Sequence, residues 1–330
     1  SGPRMGVGIW ILFLLLVIGM VALDLGVFHR KDRPVTVRNA LGWSSLWIST
    51  SLLFMVFVYF LYENNYEWAG ISTEHLSGRD AATQYLVGYV LEYSLSLDNI
   101  FVIAMVLSYF RVPLVLQHRV LFWGILGAVV LRGVMIALGV ALINRFDWVT
   151  YLFGAFLLYS AARMLLLRHE TVEPGQNPLV RLARRFVPVT DHFHGHHFIV
   201  RVDGKLMATP LLLALLLVES SDVMFAVDSI PAVFAVTREP FIIFTSNIFA
   251  ILGLRSLYFV LASYMEKFRY LKSALVFVLA FVGVKMILSN HYHIPDMASL
   301  AIIFGILLVG VLASVRGAGK DPVPLRSPLE

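Results

Sequence analysis

The chain contains nine apolar stretches, each about as long as the 20-residue helix that crosses a bilayer. They lie at residues 8–28, 41–62, 83–108, 119–142, 149–167, 208–236, 241–263, 272–289 and 298–315. A segment in lipid must satisfy its backbone hydrogen bonds internally, and an apolar stretch of this length does so as an α-helix. The sequence therefore predicts an all-α, polytopic membrane protein with about nine transmembrane helices.

The scarcity of charge excludes other classes of protein. Only 14% of the 330 residues are charged, against about 25% in a soluble domain. We therefore expect neither a soluble enzyme nor a nucleic-acid-binding protein, and no catalytic cofactor. Cysteine is absent, which excludes disulfides, thiolate metal ligands and cysteine nucleophiles. The expected surroundings of the helices are membrane lipids.

Lysine and arginine are divided unequally between the two sets of loops. Eighteen lie in the loops on one side of the predicted helices and four on the other. Loops rich in these residues face the cytoplasm. The sequence thus predicts an N-terminus outside and a C-terminus inside. An odd number of spans also places the two termini on opposite sides of the membrane.

The spans and loops define the predicted organisation of the chain. We expect residues 1–4 and 327–330 to be additions to the natural chain. The predicted segments are an extracytoplasmic N-terminus (1–7), two N-terminal helices (8–62), a first three-helix repeat (83–167), a cytoplasmic loop (168–207), a second three-helix repeat (208–289), a last helix (298–315) and a cytoplasmic tail (316–330).

Two sets of three helices share a pattern of rare charges. Each has two carboxylates six residues apart in its first helix, an arginine in its second, and a basic residue before methionine in its third. The positions are Glu92, Asp98, Arg132 and Arg163 in one set, and Asp222, Asp228, Arg255 and Lys285 in the other. Three is odd, so the copies would be inverted in the membrane, as in many secondary transporters. Chance similarity between apolar helices is the alternative.

Six carboxylates fall inside predicted spans, and each costs about 2.5–3.5 kcal/mol at a helix centre unless it has a partner. They are Asp24, Glu92, Asp98, Glu219, Asp222 and Asp228. We predict Asp24, Arg132, Arg255 and Lys285 as proton-coupling or counter-ion residues. Asp24 lies near the cytoplasmic end of its span and best suits a structural ion pair. The alternative is that all these charges are structural salt bridges.

Oxygen atoms dominate the polar groups at midmembrane depth. Carboxylate and amide oxygens favour hard divalent cations such as Mn²⁺, Ca²⁺ and Mg²⁺, although they do not exclude zinc or copper. Carboxylates also bind protons, which suits a metal–proton antiporter. The predicted metal site comprises Glu92, Asp98, Asn99, Glu219, Asp222, Asp228 and Asn247.

Pro231 lies within the span that carries three of these carboxylates. Proline has no N–H, so it would leave the carbonyl of Val227 without its helical hydrogen bond. We therefore predict a broken helix here, because in a regular helix Asp222 and Asp228 point in different directions. A break would expose both carboxylates to one cavity.

The predicted cytoplasmic loop contains the segment DHFHGHH at residues 191–197. Its weak candidate metal ligands are His192, His194, His196 and His197. The alternative is a solvated loop in which the histidines have no metal role. Asp203-Gly204 between two short apolar–polar runs predicts a β-hairpin.

Three segments resemble the TerC/Alx family of membrane proteins, and most closely its Alx branch. They are EYSLSLDNIFV at 92–102, ESSDVMFAVDSIPA at 219–232 and TSNIFAILGLR at 245–255. The resemblance covers about residues 8–315 and implies a multi-pass protein of the bacterial inner membrane that exports Mn²⁺. It also implies that the acidic positions of the family match Glu92, Asp98, Glu219, Asp222 and Asp228.

Three functions are open, and the choice of Mn²⁺ and the link to tellurite among them come from the family resemblance. The first is proton-coupled export of Mn²⁺, with Ca²⁺ and other divalent cations as alternative substrates. The second is a membrane scaffold that assists metal loading of exported proteins through a partner. The third is a tellurite-related anion exporter, in which Arg132 and Arg255 would bind the substrate.

Overall fold

The computed structural model describes the greater part of the chain. The described residues are 7–28, 37–64, 76–166, 181, 185, 187–202, 204–261, 270–289, 291–292 and 294–317. Most of them are helical, so the predicted all-α, polytopic architecture is confirmed. The side chains of Asp24, Asp98 and Arg255 lie outside this description, as do most of the two predicted termini and part of the predicted cytoplasmic loop.

Ten helices and two short strands make up the described part of the fold. In chain order these are α1 (Val7–Phe28), α2 (Val37–Glu63), α3 (Gly78–Tyr109), α4 (Leu114–Arg145), α5 (Val149–Leu166), β1 (Ile199–Val202), β2 (Lys205–Ala208), α6 (Pro210–Phe234), α7 (Pro240–Leu252), α8 (Leu254–Leu261), α9 (Leu271–Leu288) and α10 (Asp296–Gly317).

Six of the described helices are long and apolar enough to cross a membrane, namely α2, α3, α4, α5, α6 and α10. Shorter apolar segments lie in α1, α7 and α9. These segments coincide with the nine predicted stretches, while the exact number of spans stays a prediction. Helix α3 starts earlier than predicted because Ser77 caps it, accepting a hydrogen bond from the Asp80 N–H at 3.1 Å.

Helix continuity differs from the prediction at two places. The break predicted at Pro231 is wrong, since α6 is continuous from Pro210 to Phe234. Pro231 lies in the last turn, where its missing N–H removes a hydrogen bond close to the helix end and leaves the helix intact. The stretch predicted as one span at 241–263 is instead divided at Gly253, between α7 and α8.

The helix contacts centre on α3 and α6, which pack against each other. Helix α3 also packs against α7, and α6 packs against α4; α5 packs against α9. Exchanging α3 with α6, α4 with α7 and α5 with α9 leaves this set of contacts unchanged. An approximate twofold axis would produce such a pattern, so the contacts agree with the inverted repeats, which remain a prediction.

The contact between α5 and α9 depends on two glycines. A Cβ atom on Gly154 would lie 2.6 Å from Cγ1 of Ile287 and 3.1 Å from the carbonyl oxygen of Gly283. A Cβ atom on Gly283 would in turn lie 3.1 Å from the carbonyl oxygen of Gly154. The two backbones therefore touch, as they do where small residues line helix contacts in membranes.

We expect Gly154→Val to destabilise the protein by about 2–3 kcal/mol, because the added side chain meets backbone atoms that cannot move aside. The control is Gly305→Val on α10, since a Cβ at Gly305 has no neighbour within 4 Å. Thermal unfolding of the two purified variants in detergent measures the difference. An equal midpoint for both variants would contradict this account of the α5–α9 contact.

The strands β1 and β2 form an antiparallel hairpin at the place that Asp203-Gly204 predicts, with Val202 paired to Lys205. Gly204 has φ +77°, a conformation that glycine adopts without strain. The hairpin is attached to the helices by aromatic contacts. The guanidinium of Arg119 on α4 lies 5.3 Å from the centre of the Phe198 ring.

Candidate functional site

Arg132 is a fully buried charge in the middle of α4. Its Nη1 donates to Oε1 of Glu92, a carboxylate that is also fully buried. Its Nη2 donates to Oδ1 of Asp222 at 2.8 Å, and its Nε donates to Oδ2 of the same residue at 3.2 Å. One guanidinium thus joins two carboxylates and holds Asp222 by a bidentate pair.

Neutral groups complete this arrangement. The amide nitrogen of Asn247 donates to Oε2 of Glu92 at 2.9 Å, and its Oδ1 accepts from Arg132 Nη1 at 3.4 Å. Ser96 donates to Oε1 of Glu92 at 3.1 Å, and Ser229 accepts from Arg132 at 3.5 Å. We name this set of side chains the Arg132 network; its members are Glu92, Ser96, Arg132, Asp222, Ser229 and Asn247.

The Arg132 network joins two helices from each predicted repeat, α3 and α4 from the first and α6 and α7 from the second. With both carboxylates ionised, it carries one more negative charge than positive charge. Such an excess is unfavourable in a medium of low dielectric constant, where charges interact strongly. The network is therefore suited to bind a further positive charge, or to exchange Arg132 for another cation.

Asp228 lies apart from the Arg132 network. It is six residues beyond Asp222, and because α6 is continuous the two side chains point in different directions. Oδ1 of Asp228 accepts a hydrogen bond from Ser160 on α5 at 2.6 Å, and Arg163 on α5 interacts with it electrostatically. The predicted common cavity for Asp222 and Asp228 is therefore wrong for this structure.

Glu219 and Asn99, both predicted ligands, also lie outside the Arg132 network. The carboxylate of Glu219 packs against Gly127 of α4, where a side chain would overlap it. Its Oε2 is buried without a hydrogen-bond partner among the described residues, and so is Oδ1 of Asn99. Hydrogen bonds thus bring together Glu92, Asp222 and Asn247, and neither Glu219 Oε2 nor Asn99 Oδ1 takes part in them.

Lys285, a predicted counter-ion residue, pairs with a carboxylate that is outside the predicted metal site. Its ammonium group pairs with Asp296 Oδ1 at 3.1 Å, and Gln84 donates to Oδ2 of Asp296 at 3.1 Å. The reason is its position: Lys285 lies in the last turn of α9, next to the first turn of α10. This pair connects α9 and α10 to the start of α3.

The histidines of the loop do not converge. All four side chains, those of His192, His194, His196 and His197, are exposed. In the described part of the chain, no group of three or more His, Cys, Asp or Glu side chains is placed to hold a metal ion. At Glu92 and Asp222 no metal ion can bind in this structure because the guanidinium of Arg132 fills the space between their carboxylates.

Ser160 is a site residue outside the predicted set, although the sequence carries a signal for it. Ser160 precedes Arg163 by three residues, so both lie on one face of α5. A hydroxyl next to an intramembrane arginine marks that face as polar. The side chains of Asp24, Asp98 and Arg255 lie outside the described residues, so their predicted roles remain predictions.

Comparison with known proteins places the chain in a family. Residues 77–320 match the integral membrane protein TerC family. The chain is 49% identical over 315 residues to "Uncharacterized membrane protein STKORF319" of Myxococcus xanthus, covering 96% of this chain and 94% of that protein. No solved structure gives a significant match.

Two further relatives also align over most of their length. "Putative membrane-bound redox modulator Alx" of Escherichia coli K12 is 47% identical over 303 residues, which cover 91% of this chain and 92% of that protein. An "Uncharacterized membrane protein" of Rickettsia bellii is 38% identical over 306 residues, which cover 93% and 96%. The family match and these identities extend over the helices that carry the Arg132 network. The chain therefore belongs to the TerC family of integral membrane proteins.

Proposed function

We propose that the protein is a secondary transporter that exports divalent metal cations, Mn²⁺ foremost, from the cytoplasm in exchange for protons. It resides in the bacterial inner membrane with its N-terminus outside and its C-terminus inside, as the distribution of lysine and arginine predicts. Its role is transport rather than catalysis.

The observation that carries the proposal is the position of Arg132 between Glu92 and Asp222. Two carboxylates and the amide oxygen of Asn247 surround a positive charge with oxygen atoms. These are the ligand types that hard divalent cations prefer. Arg132 offsets one of the two negative charges when no metal is bound, and in the proposed cycle it withdraws when a metal ion enters.

Proton coupling follows from the same groups. A carboxylate holds either a metal ion or a proton, so binding of one displaces the other. Release of Mn²⁺ outside would leave Glu92 and Asp222 free to take up protons, and Arg132 would return to them as the protons leave inside. The exchange keeps the charge of the buried site small throughout the cycle, which a low dielectric medium requires.

The helices that supply the Arg132 network support alternating access. Glu92 and Arg132 come from the first predicted repeat, and Asp222 and Asn247 from the second. Rocking of one repeat against the other would then open a site at their interface to each side in turn. The exchange pattern of the helix contacts favours this arrangement.

The competing functions have less support. An anion exporter needs a free cationic pocket, whereas the guanidinium of Arg132 is already engaged by two carboxylates. The name of the Escherichia coli relative refers to redox modulation. Since this chain has no cysteine, it supplies no thiolate for thiol–disulfide exchange.

The test is metal flux in proteoliposomes that contain the purified protein and a trapped Mn²⁺-sensitive dye. We expect Mn²⁺ uptake that is absent from protein-free liposomes and that an imposed pH gradient accelerates. Competition by Ca²⁺ and Mg²⁺ measures selectivity. Zero flux with and without the pH gradient would contradict the proposal, and co-purification of a secreted metalloprotein or a translocation component would then favour the scaffold.

A further inference from the structure

We propose that α5 and α6 form a second cation station, separate from the Arg132 network, at which Ser160 positions the carboxylate of Asp228 for a divalent cation in transit. This inference rests on the proposed export function and deepens it. It assigns a role to α5, a helix that lies outside the Arg132 network, and to the hydroxyl of Ser160.

The contact itself is short and joins two helices. Ser160 Oγ donates to Asp228 Oδ1 at 2.6 Å. A hydrogen bond to an ionised oxygen is shorter and stronger than one between neutral groups. It fixes the orientation of the Asp228 carboxylate relative to α5, so Ser160 is a positioning residue for that carboxylate.

The second station is distinct because α6 is continuous between its two carboxylates. Six residues of α-helix place Asp228 about 9 Å along the axis from Asp222 and about 240° around it. A single metal ion cannot contact both side chains at this separation. A cation that uses both carboxylates must therefore use them one after the other.

The second station repeats the chemistry of the Arg132 network. There the guanidinium of Arg132 faces two carboxylates, and one of them, Glu92, also accepts a hydrogen bond from the hydroxyl of Ser96. Here Arg163, one turn after Ser160, interacts electrostatically with Asp228 while Ser160 supplies the hydroxyl. Each arginine is a positive charge tethered to the helix bundle near a carboxylate, and an arriving cation can take over that charge's role.

The composition of the second station suits passage rather than tight binding. One carboxylate and one hydroxyl leave most of the coordination shell of a divalent cation to water. Rapid transport requires binding sites that a cation both enters and leaves readily. The ligand class is therefore a partly hydrated, hard divalent cation, the same class as the proposed substrate.

The experiment compares Ser160→Ala with Ser160→Thr in Mn²⁺ flux measurements on proteoliposomes. We expect Ser160→Ala to raise the KM for Mn²⁺ about tenfold, as loss of a group that orients a metal ligand does. Ser160→Thr keeps the hydroxyl and should keep the wild-type KM. The control is Ser221→Ala on α6, whose hydroxyl bonds to the Leu217 carbonyl of its own helix at 2.8 Å.

The outcomes separate this inference from the proposed function. Wild-type flux together with an unchanged KM in Ser160→Ala would overturn the second station and leave the export function standing. Equal losses in Ser160→Ala, Ser160→Thr and Ser221→Ala would also overturn it, because they would reflect helix packing alone. Absence of flux in the wild-type protein would overturn both proposals.

Discussion

Asp222→Asn is expected to abolish Mn²⁺ flux while the protein still folds. Asp222 offers two carboxylate oxygens to Arg132 and, in the proposed cycle, to the metal ion. Asparagine keeps the size of the side chain and one acceptor oxygen but loses the negative charge and the second acceptor. Arg132 retains its buried partner Glu92, so the ion pair at the centre of the protein survives.

The measurement is Mn²⁺ flux in proteoliposomes, with gel filtration and thermal unfolding to verify the fold. The matched control is Asp147→Asn, the same chemical change at an exposed residue in the turn between α4 and α5. Asp147→Asn should transport as the wild type does. Retained flux in Asp222→Asn would contradict the export site, and it is the result that an anion exporter predicts.

Arg132→Gln is expected to lower the stability of the folded protein by about 3–5 kcal/mol, the usual cost of removing one partner of a buried ion pair. Glu92 is fully buried, and among the described residues Ser96 and Asn247 would remain as its hydrogen-bond donors without Arg132. The side chain of Asp222 is 12% exposed, so loss of Arg132 would destabilise its charge less. Flux should also be lost, because the two carboxylates of the empty site would no longer have the counter-charge of Arg132.

A double variant distinguishes loss of charge balance from loss of packing. Glu92→Gln combined with Arg132→Gln removes one charge of each sign and preserves the approximate volume of both side chains. We expect it to recover most of the stability that Arg132→Gln loses, as a coupled pair does in a double-mutant cycle. A double variant as unstable as Arg132→Gln would show that Arg132 acts through packing. Thermal unfolding in detergent measures the stability of the wild type, of Glu92→Gln, of Arg132→Gln and of the double variant.

The residues of the Arg132 network could be found from the sequence because charges are rare in lipid. Glu92, Arg132 and Asp222 are conspicuous in apolar helices, and the cost of burying them predicts that they pair. Their pairing with one another could not be deduced, because it depends on how α3, α4 and α6 rotate and cross. That information lies in contacts between helices, which a single sequence does not contain.

The differences between prediction and structure depend on where each residue lies along its helix. Pro231 suggested a break, but the effect of a proline depends on its distance from the helix end, and here it lies in the last turn. Lys285 is a predicted counter-ion, and its place at the end of α9 pairs it with Asp296, which is outside the predicted metal site. Ser160 gave only a weak signal, since a serine in a membrane helix commonly bonds to its own backbone.

The Arg132 network also bears on the order in which the chain enters the membrane. Glu92 and Arg132 belong to neighbouring helices, α3 and α4, so this pair of helices carries one charge of each sign when it is synthesised. Asp222 arrives later on α6 and finds its counter-charge already in the bilayer. A second half inserted alone would hold Asp222 without the arginine of α4, so we expect the N-terminal half to act as a template for the insertion of α6.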